Sequence, residues 1–102
     1  MKILSEPITF DWDKSNIDKN LIKHGVTYQE TEEVFGNQPL LLNVDSKHSD
    51  LEIRYQVLGK TSKNRLLFVS FTIRNQKVRP ISFRDMSKKE RRVYEKKTKN
   101  SS

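Results

Sequence analysis

The alternation of hydrophobic and polar residues from residue 40 onward predicts four consecutive β-strands. The third is apolar on both faces, with Phe68 on one and Phe71 on the other, which is typical of a central strand covered on both sides. The fourth contains Pro80, which removes a backbone donor and indicates an edge strand or a bulge. The first is a short apolar run that favours a buried strand, although its length alone leaves a helix open. The predicted strands cover residues 40–44, 51–59, 65–73 and 78–83.

Helix-start signals occur at three places in the sequence. Asp13 is placed as an N-cap, and Gly25 is placed to end the first helix in a left-handed turn. The second and third helices each begin with a capping box of the form Ser/Thr-x-x-Glu. The boxes are Thr27-Tyr28-Gln29-Glu30 and Ser87-Lys88-Lys89-Glu90, and the predicted helices cover residues 14–23, 27–36 and 87–97, after a short strand at residues 8–13.

These elements predict one α+β domain over residues 1–102. An N-terminal strand and two helices pack on a four-strand antiparallel meander, a C-terminal helix follows, and the helices lie on one face of the sheet. Turns are expected at residues 45–50, 61–64 and 75–76. The core should extend over about residues 8–95, and residues 96–102 should form a frayed basic tail.

The composition limits the classes of protein to which the chain can belong. With 33% hydrophobic and 32% charged residues among 102, the core must be small and the surface highly charged. The absence of cysteine excludes disulfides and thiolate metal sites. The sequence has no apolar run long enough to span a bilayer and no signal peptide, so a cytoplasmic protein is expected.

The net charge of +7 is distributed unevenly. Residues 1–50 carry five lysines and nine acidic residues, whereas residues 51–102 carry fifteen basic and four acidic residues. A basic half can bind a polyanion by releasing its counterions, and the acidic half would make the polyanion approach from one side. The simpler interpretation is a solvated, charged surface, but the asymmetry favours contact with nucleic acid.

Arginines on the predicted strands are the main candidates for binding an anion. The sequence has no glycine-rich phosphate loop and no histidine–cysteine zinc pattern. Arginine stays charged and presents a planar fork that fits a phosphate group. A single arginine is usually a solvated or ion-paired residue, but several on adjacent strands beside a basic helix favour a polyanion site. The strand arginines are Arg54, Arg65, Arg74, Arg79 and Arg84, and the helix residues expected to bind RNA are Lys88, Lys89, Arg91 and Arg92.

Short motifs occur in a specific order over residues 8–95. They are Phe10-Asp11-Trp12-Asp13, Asn20, Lys23-His24-Gly25-Val26, Val34-Phe35, His48-Ser49, Glu52-x-Arg54-Tyr55, Gly59, Thr72-x-Arg74, Arg79-x-Ile81-Ser82-x-Arg84 and Glu90-Arg91-Arg92-x-Tyr94. In this combination the chain resembles the BrnT toxins. The resemblance implies a type II toxin of RelE-like fold that cleaves RNA without a metal or other cofactor, inhibits translation and is held inactive by a BrnA-like antitoxin in a hetero-oligomer.

The sequence departs from the family pattern around Arg84. Phe83, Asp85 and Met86 stand where the family has small or basic residues, and Pro80 stands where it has an aliphatic residue. Asp85 is expected to pair with Arg84 and to reduce its availability to a substrate.

The implied reaction is attack of a ribose 2′-OH on the adjacent phosphate, which needs cations to stabilise the phosphorane and groups to transfer protons. The candidate cations are Arg54, Arg74, Arg79 and Arg84. Arg79 and Arg84 are five residues apart, so on a regular strand their side chains point to opposite faces. Both can therefore reach one site only if the strand ends between them. The candidates for proton transfer are Glu52, His48, His24 and Tyr94.

Each of these four also has a structural interpretation, and we favour it for Tyr94 and for His24. Its position in the last turn of the first helix suits the helix dipole. Glu52 could be an ion-pair partner, His48 could cap a turn, and Tyr94 could pack the last helix against the sheet.

Two other classes of function fit the same residues. One is a non-catalytic nucleic-acid-binding module, and the other is an interaction protein whose basic edge docks an acidic partner. An RNA-cleavage assay separates the first from a ribonuclease, and the second predicts no binding of RNA.

Overall fold

A computed structural model describes residues 3–4, 6–48 and 51–99. The described residues form three α-helices, one short 3₁₀ helix and a four-stranded antiparallel sheet with strand order β1-β2-β3-β4. The elements are α1 (Lys14–His24), α2 (Tyr28–Gly36), β1 (Leu41–Val44), the 3₁₀ helix (Ser46–His48), β2 (Tyr55–Lys60), β3 (Leu66–Arg74), β4 (Lys77–Asp85) and α3 (Lys88–Lys99). The predicted α+β class and the meander are confirmed.

All three helices begin where their caps predict. The Asp13 carboxylate accepts a hydrogen bond from the Ser15 amide, and Gly25, at φ 66°, ends α1 with its N–H bound to the Leu21 carbonyl. Both capping boxes form, since the side chain of each Ser or Thr accepts from the backbone of the Glu three residues later, and each Glu accepts in return. These local bonds satisfy amides that the first turn of a helix leaves without a partner.

The sheet differs from its sequence prediction in the outer strands. β1 is an edge strand whose residues are half-buried or exposed, so the expectation of a buried strand is wrong. β2 begins at Tyr55, four residues later than predicted. The predicted N-terminal strand is a single parallel bridge between Phe10 and Val78. The β3–β4 turn is confirmed at Asn75 and Gln76, which both have positive φ, as a tight type I′-like hairpin requires.

A β-bulge interrupts β4 at the position that Pro80 predicts. Ser70 of β3 faces Ser82, whereas Phe71 faces Pro80, so Ile81 is an extra residue on β4. This shift by one residue reverses the alternation of side chains beyond it. The strand therefore does not need to end for Arg79 and Arg84 to lie on the same face.

Helices cover both faces of the sheet, so the expectation that they share one face is wrong. α2 covers the face that carries Val69 and Phe71 and contributes Val34 and Phe35 to the main core, and α1 packs against β4. α3 lies on the opposite face, where Tyr94 packs with Leu58 and Met86 in a second, smaller core. The two-sided apolar pattern of β3 reflects this arrangement, because each face of the strand contacts a different helical layer.

The main core contains the aromatic residues of the N-terminal half. Phe10, Trp12 and Phe35 pack on or within it, and Phe10 contacts both of the other two rings. Gly59 allows α2 to approach β2 closely, because a Cβ atom there would lie 2.7 Å from Cγ1 of Val34. The departures Phe83 and Met86 are buried core residues.

The C-terminal tail is helical as far as it is described, because α3 extends to Lys99. The last three residues of the predicted tail, and residues 49 and 50 of the predicted turn, lie outside the described residues. Within the described ranges, the protein has no helix of the length and apolar character that crossing a membrane requires.

Candidate active site

The sheet face opposite α1 and α2 carries the polar site. α3 covers one end of this face, and the other end forms an open cleft of about 420 Å³. We call it the arginine cleft, because three of the five strand arginines line it. The charged and titratable residues that line it are Lys47, His48, Glu52, Arg54, Arg74 and Arg79.

Arg74 and Glu52 form a bidentate ion pair at the edge of the arginine cleft. Nε and Nη2 of Arg74 donate to the two carboxylate oxygens of Glu52 at 2.9 and 2.7 Å. These hydrogen bonds, with the charges of Arg74, Arg79 and Arg54, hold the pKa of Glu52 below its usual value. Glu52 is therefore a carboxylate at neutral pH, and its surroundings stay cationic.

Arg79 is anchored from the N-terminal segment. Its guanidinium donates to Asp11 at 3.2 Å and to Asp13 at 3.3 Å, and the side chain is about a quarter exposed. Arg54 precedes β2, and its Nε atom is buried against the sheet. The acidic N-terminal half therefore holds one cation of the basic half in place.

His48 is oriented by a carboxylate that the sequence analysis did not single out. The Oδ2 atom of Asp45 lies 2.9 Å from Nδ1 of His48, and the Asp45 side chain is only 10% exposed whereas that of His48 is 62% exposed. Asp45 also accepts from the Lys47 amide and from the Gln56 side chain. Burial tends to raise the pKa of Asp45, but the hydrogen bonds and the charge of His48 outweigh it and lower this pKa. The available signal was the Asp-x-x-His spacing at a predicted turn.

Arg84 lies at the other end of this face. Its two terminal nitrogens donate to both carboxylate oxygens of Glu90 at 2.8 and 3.0 Å, and its guanidinium lies 4.1 Å from the centre of the Phe68 ring. Arg84 is not one of the described residues that line the arginine cleft. The structure thus brings Arg54, Arg74 and Arg79 together but places Arg84 at the start of α3.

The expectation that Asp85 pairs with Arg84 is wrong. The Asp85 carboxylate accepts two hydrogen bonds from Arg65, at 2.7 and 3.0 Å, and Arg65 also binds Glu30. The bulge places the Asp85 side chain on the face of α1 and α2, whereas Arg84 lies on the face of α3. Arg65 is therefore a structural link between the sheet and α2, and Asp85 binds Arg84 only through its backbone carbonyl, at 3.1 Å.

Two candidates for proton transfer lie away from the arginine cleft. The Tyr94 hydroxyl donates to the Pro39 carbonyl at 2.6 Å, and burial raises the pKa of Tyr94. His24 ends α1 on the other side of the sheet, where its charge helps to lower the pKa of Asp85 after the larger effect of Arg65. Both positions match the structural interpretation, and Glu52 and His48 are the two candidates that border the cleft.

A second cleft, of about 320 Å³, lies between the sheet and α3. We call it the amide cleft, because Asn43 and Gln56 line it. Its lining also includes Leu58, Phe68, Lys89 and Val93. Lys89 is thus the α3 cation that borders a cleft, while Lys88, Arg91 and Arg92 are exposed on the helix surface.

Metal-binding side chains do not converge in the described part of the chain. No group of three or more His, Cys, Asp or Glu residues in those ranges is arranged to hold a metal ion. The ionisable groups that line the arginine cleft are guanidinium, ammonium, imidazole and carboxylate.

Comparisons with known proteins place this arrangement in a family. A family model described as "Ribonuclease toxin, BrnT, of type II toxin-antitoxin system" matches residues 12–90. The fold is similar to the crystal structure of the Brucella abortus ribonuclease toxin BrnT, with a TM-score of 0.58 and 20% sequence identity over 79% of this chain and 99% of that chain. No curated protein matches the sequence. The chain therefore belongs to the BrnT family of ribonuclease toxins of type II toxin–antitoxin systems.

Proposed function

We propose that the arginine cleft cleaves RNA without a metal ion, by attack of a ribose 2′-OH on the adjacent phosphate. One observation supports this assignment above the others. Arg54, Arg74 and Arg79 line the same cleft as Glu52 and His48, on a sheet face that α3 leaves open at this end. Cations and proton-transfer groups around one cavity are what this reaction needs.

The arginines stabilise the phosphorane. A guanidinium carries five N–H donors, so the two bonds from Arg74 to Glu52 and the two from Arg79 to Asp11 and Asp13 leave further donors on each side chain. The ion pairs also fix the guanidinium groups before the substrate arrives. Such preorganised donors stabilise charge that develops in the transition state.

Glu52 accepts the proton of the 2′-OH. The attacking oxygen then forms a bond to phosphorus, and the bond from phosphorus to the 5′ oxygen of the next nucleotide breaks. A bound phosphate competes with Glu52 for Arg74, and loosening this pair raises the pKa of Glu52 toward its ordinary value, which makes it a stronger base.

His48 donates a proton to the leaving 5′ oxygen. Asp45 holds Nδ1 of His48 at 2.9 Å, which leaves Nε2 to face the substrate. The products are an RNA with a 2′,3′-cyclic phosphate and an RNA with a free 5′-OH.

The biological consequence is inhibition of translation by destruction of RNA in the cytoplasm. A BrnA-like antitoxin neutralises the protein in a hetero-oligomer by covering the basic face. Membership of a type II toxin–antitoxin family supports an antitoxin partner and an RNA substrate. Expression of the chain alone should arrest growth, and coexpression with the antitoxin should restore it.

The direct test is cleavage of end-labelled RNA by the purified protein in excess EDTA. We expect fragments that end in cyclic phosphate, at an unchanged rate in the chelator. Lys19→Ala, which removes an exposed positive charge from α1, is the matched control and should cleave normally. Activity that disappears in EDTA and returns with magnesium contradicts metal independence, and binding of RNA without fragments contradicts cleavage.

A further inference from the structure

We propose that the amide cleft binds a nucleotide base beside the scissile phosphate, with Gln56 and Asn43 reading its hydrogen-bonding edge. This inference rests on the proposed cleavage of RNA in the arginine cleft. It adds a specificity site that is separate from the reacting groups.

The two clefts adjoin on one face of the sheet. In the strand register, Arg79 lies beside Thr72 of β3, and Ser70, which is two residues along β3, lies beside Gln56. Residues two apart on a strand are separated by about 7 Å. A single nucleotide can therefore place its phosphate among the arginines and its base beyond Gln56.

The lining of the amide cleft suits a flat aromatic ring. Leu58, Phe68 and Val93 provide its apolar surface, whereas the described lining of the arginine cleft has no Phe, Tyr or Trp. Val93 is 39% exposed, so its side chain is open to a ligand in the cleft. The guanidinium of Arg84 holds the Phe68 ring from one side. Proteins recognise bases in single-stranded RNA by stacking them on such apolar and aromatic surfaces.

Two amide groups provide the polar part of the cleft. Asn43 and Gln56 are direct partners on β1 and β2, so their side chains project from the same face. Each amide offers a donor and an acceptor, which is the pattern that matches the edge of a base. Lys89 borders the same cleft and can contact the phosphate of a neighbouring nucleotide.

One hydrogen-bonded chain connects the two clefts. The Gln56 side chain bonds to Asp45, which in turn binds His48 at the border of the arginine cleft. The bond to Asp45 fixes the Gln56 amide, and a fixed amide discriminates between base edges better than a mobile one. A base that binds to Gln56 therefore lies next to the Asp45 carboxylate that holds His48 in place.

The test is to measure kcat/KM on short RNAs that carry each of the four bases on either side of one cleavage position. The parent protein should prefer one base at one of these two sites by about 5- to 100-fold, the range for a pair of good hydrogen bonds to a base edge. Gln56→Ala and Asn43→Ala should each reduce that preference while cleavage continues, with the larger change in KM. Gln29→Ala, an exposed glutamine of α2, is the matched control and should keep the parental preference.

The outcomes separate the two proposals. If the parent protein cleaves RNA with no base preference, or if both variants keep the parental preference, the amide cleft is not a base site although the arginine cleft is active. If the parent protein cleaves no RNA, the proposed function fails together with this inference. Because Asn43 is exposed on an edge strand, its variant still gives an answer if Gln56→Ala folds poorly.

Discussion

Arg74 and Arg84 are chemically alike but lie in different surroundings. Both project from the same face of the sheet, and both form a bidentate ion pair with a glutamate. Arg74 is about half exposed at the border of the arginine cleft, beside two further arginines. Arg84 lies over the Phe68 ring, and its partner Glu90 also caps the first turn of α3.

The difference shows that an arginine on a strand is not by itself a binding residue. The Arg84 pair connects β4, α3 and the second core, so its removal affects packing and a helix cap. The Arg74 pair connects two exposed segments at an open cavity, so its removal changes the electrostatic potential in that cavity.

Arg74→Ala should lower the rate of RNA cleavage by about 100- to 1,000-fold, the effect of removing one donor to the charge of a transition state. The melting temperature should stay near that of the parent, because an exposed ion pair contributes little to stability. Kinetic assays with thermal denaturation measure both, and growth arrest on expression should be relieved. Arg74→Lys keeps the charge but loses the planar fork, so its rate of cleavage should lie between those of the parent and Arg74→Ala. A fully toxic Arg74→Ala protein would show that the reacting phosphate binds elsewhere.

Arg84→Ala should reduce the free energy of unfolding by about 1–3 kcal/mol, because it leaves the partly buried Glu90 carboxylate without its charged partner. Urea denaturation gives this value. Glu90→Gln keeps a side chain that can form the capping box, so in that background Arg84→Ala should cost less. If Arg84→Ala keeps the parental stability but loses most of its cleavage activity, Arg84 acts in the reaction and not in the packing of α3.

Replacement of four α3 cations by glutamine should weaken RNA binding and make it less dependent on salt. If these residues contribute about three phosphate contacts to single-stranded RNA, the slope of log K against log salt should flatten by roughly two units. Binding measured over a series of salt concentrations gives this slope, and thermal stability should change little. A parental slope would restrict the RNA site to the sheet. The four residues are Lys88, Lys89, Arg91 and Arg92.

Acid should weaken the attachment of α3 through Glu90. Burial alone would raise the pKa of Glu90, but Arg84 and the Ser87 backbone outweigh it and hold this pKa below the ordinary value of 4.5. A carboxylate whose pKa is lowered by folding contributes stability above its unfolded pKa and loses it as the pH falls through the folded one. The free energy of unfolding should therefore decrease below about pH 4.5. In Glu90→Gln this part of the decrease should be absent, and an identical pH profile for both proteins would contradict the assignment.

Local chemistry determined the features that the sequence predicted well. The N-cap at Asp13, the left-handed Gly25 and the two capping boxes act within a few residues, so their patterns specify helix ends directly. Pro80 predicted the bulge because a missing donor affects the strand in which it stands. The two-sided apolar pattern of residues 65–73 likewise predicted a central strand covered on both faces.

The sequence predicted part of the candidate site as well. The arginine residues, Glu52 and His48 were named from their types and from the family motifs, and the structure brings five of those residues to one cleft. The sequence could not identify Asp45, Asn43 or Gln56, because each has a role only through a neighbour from another strand or turn. It also could not distinguish Arg74 from Arg84, since both are strand arginines with an acidic residue available.

The sequence alone specified where the three helices begin, where the last two strands are joined by a turn and which half carries the positive charge. The tertiary structure decided that α3 lies opposite α1 and α2, because that depends on which apolar face is left uncovered after the first two helices have packed. It also decided that the Asp85 carboxylate binds Arg65 rather than its neighbour Arg84, because adjacent side chains of a strand point to opposite faces and the bulge sets which face each one takes. Such pairings depend on distances between segments far apart in the chain, and no local pattern of residues encodes them.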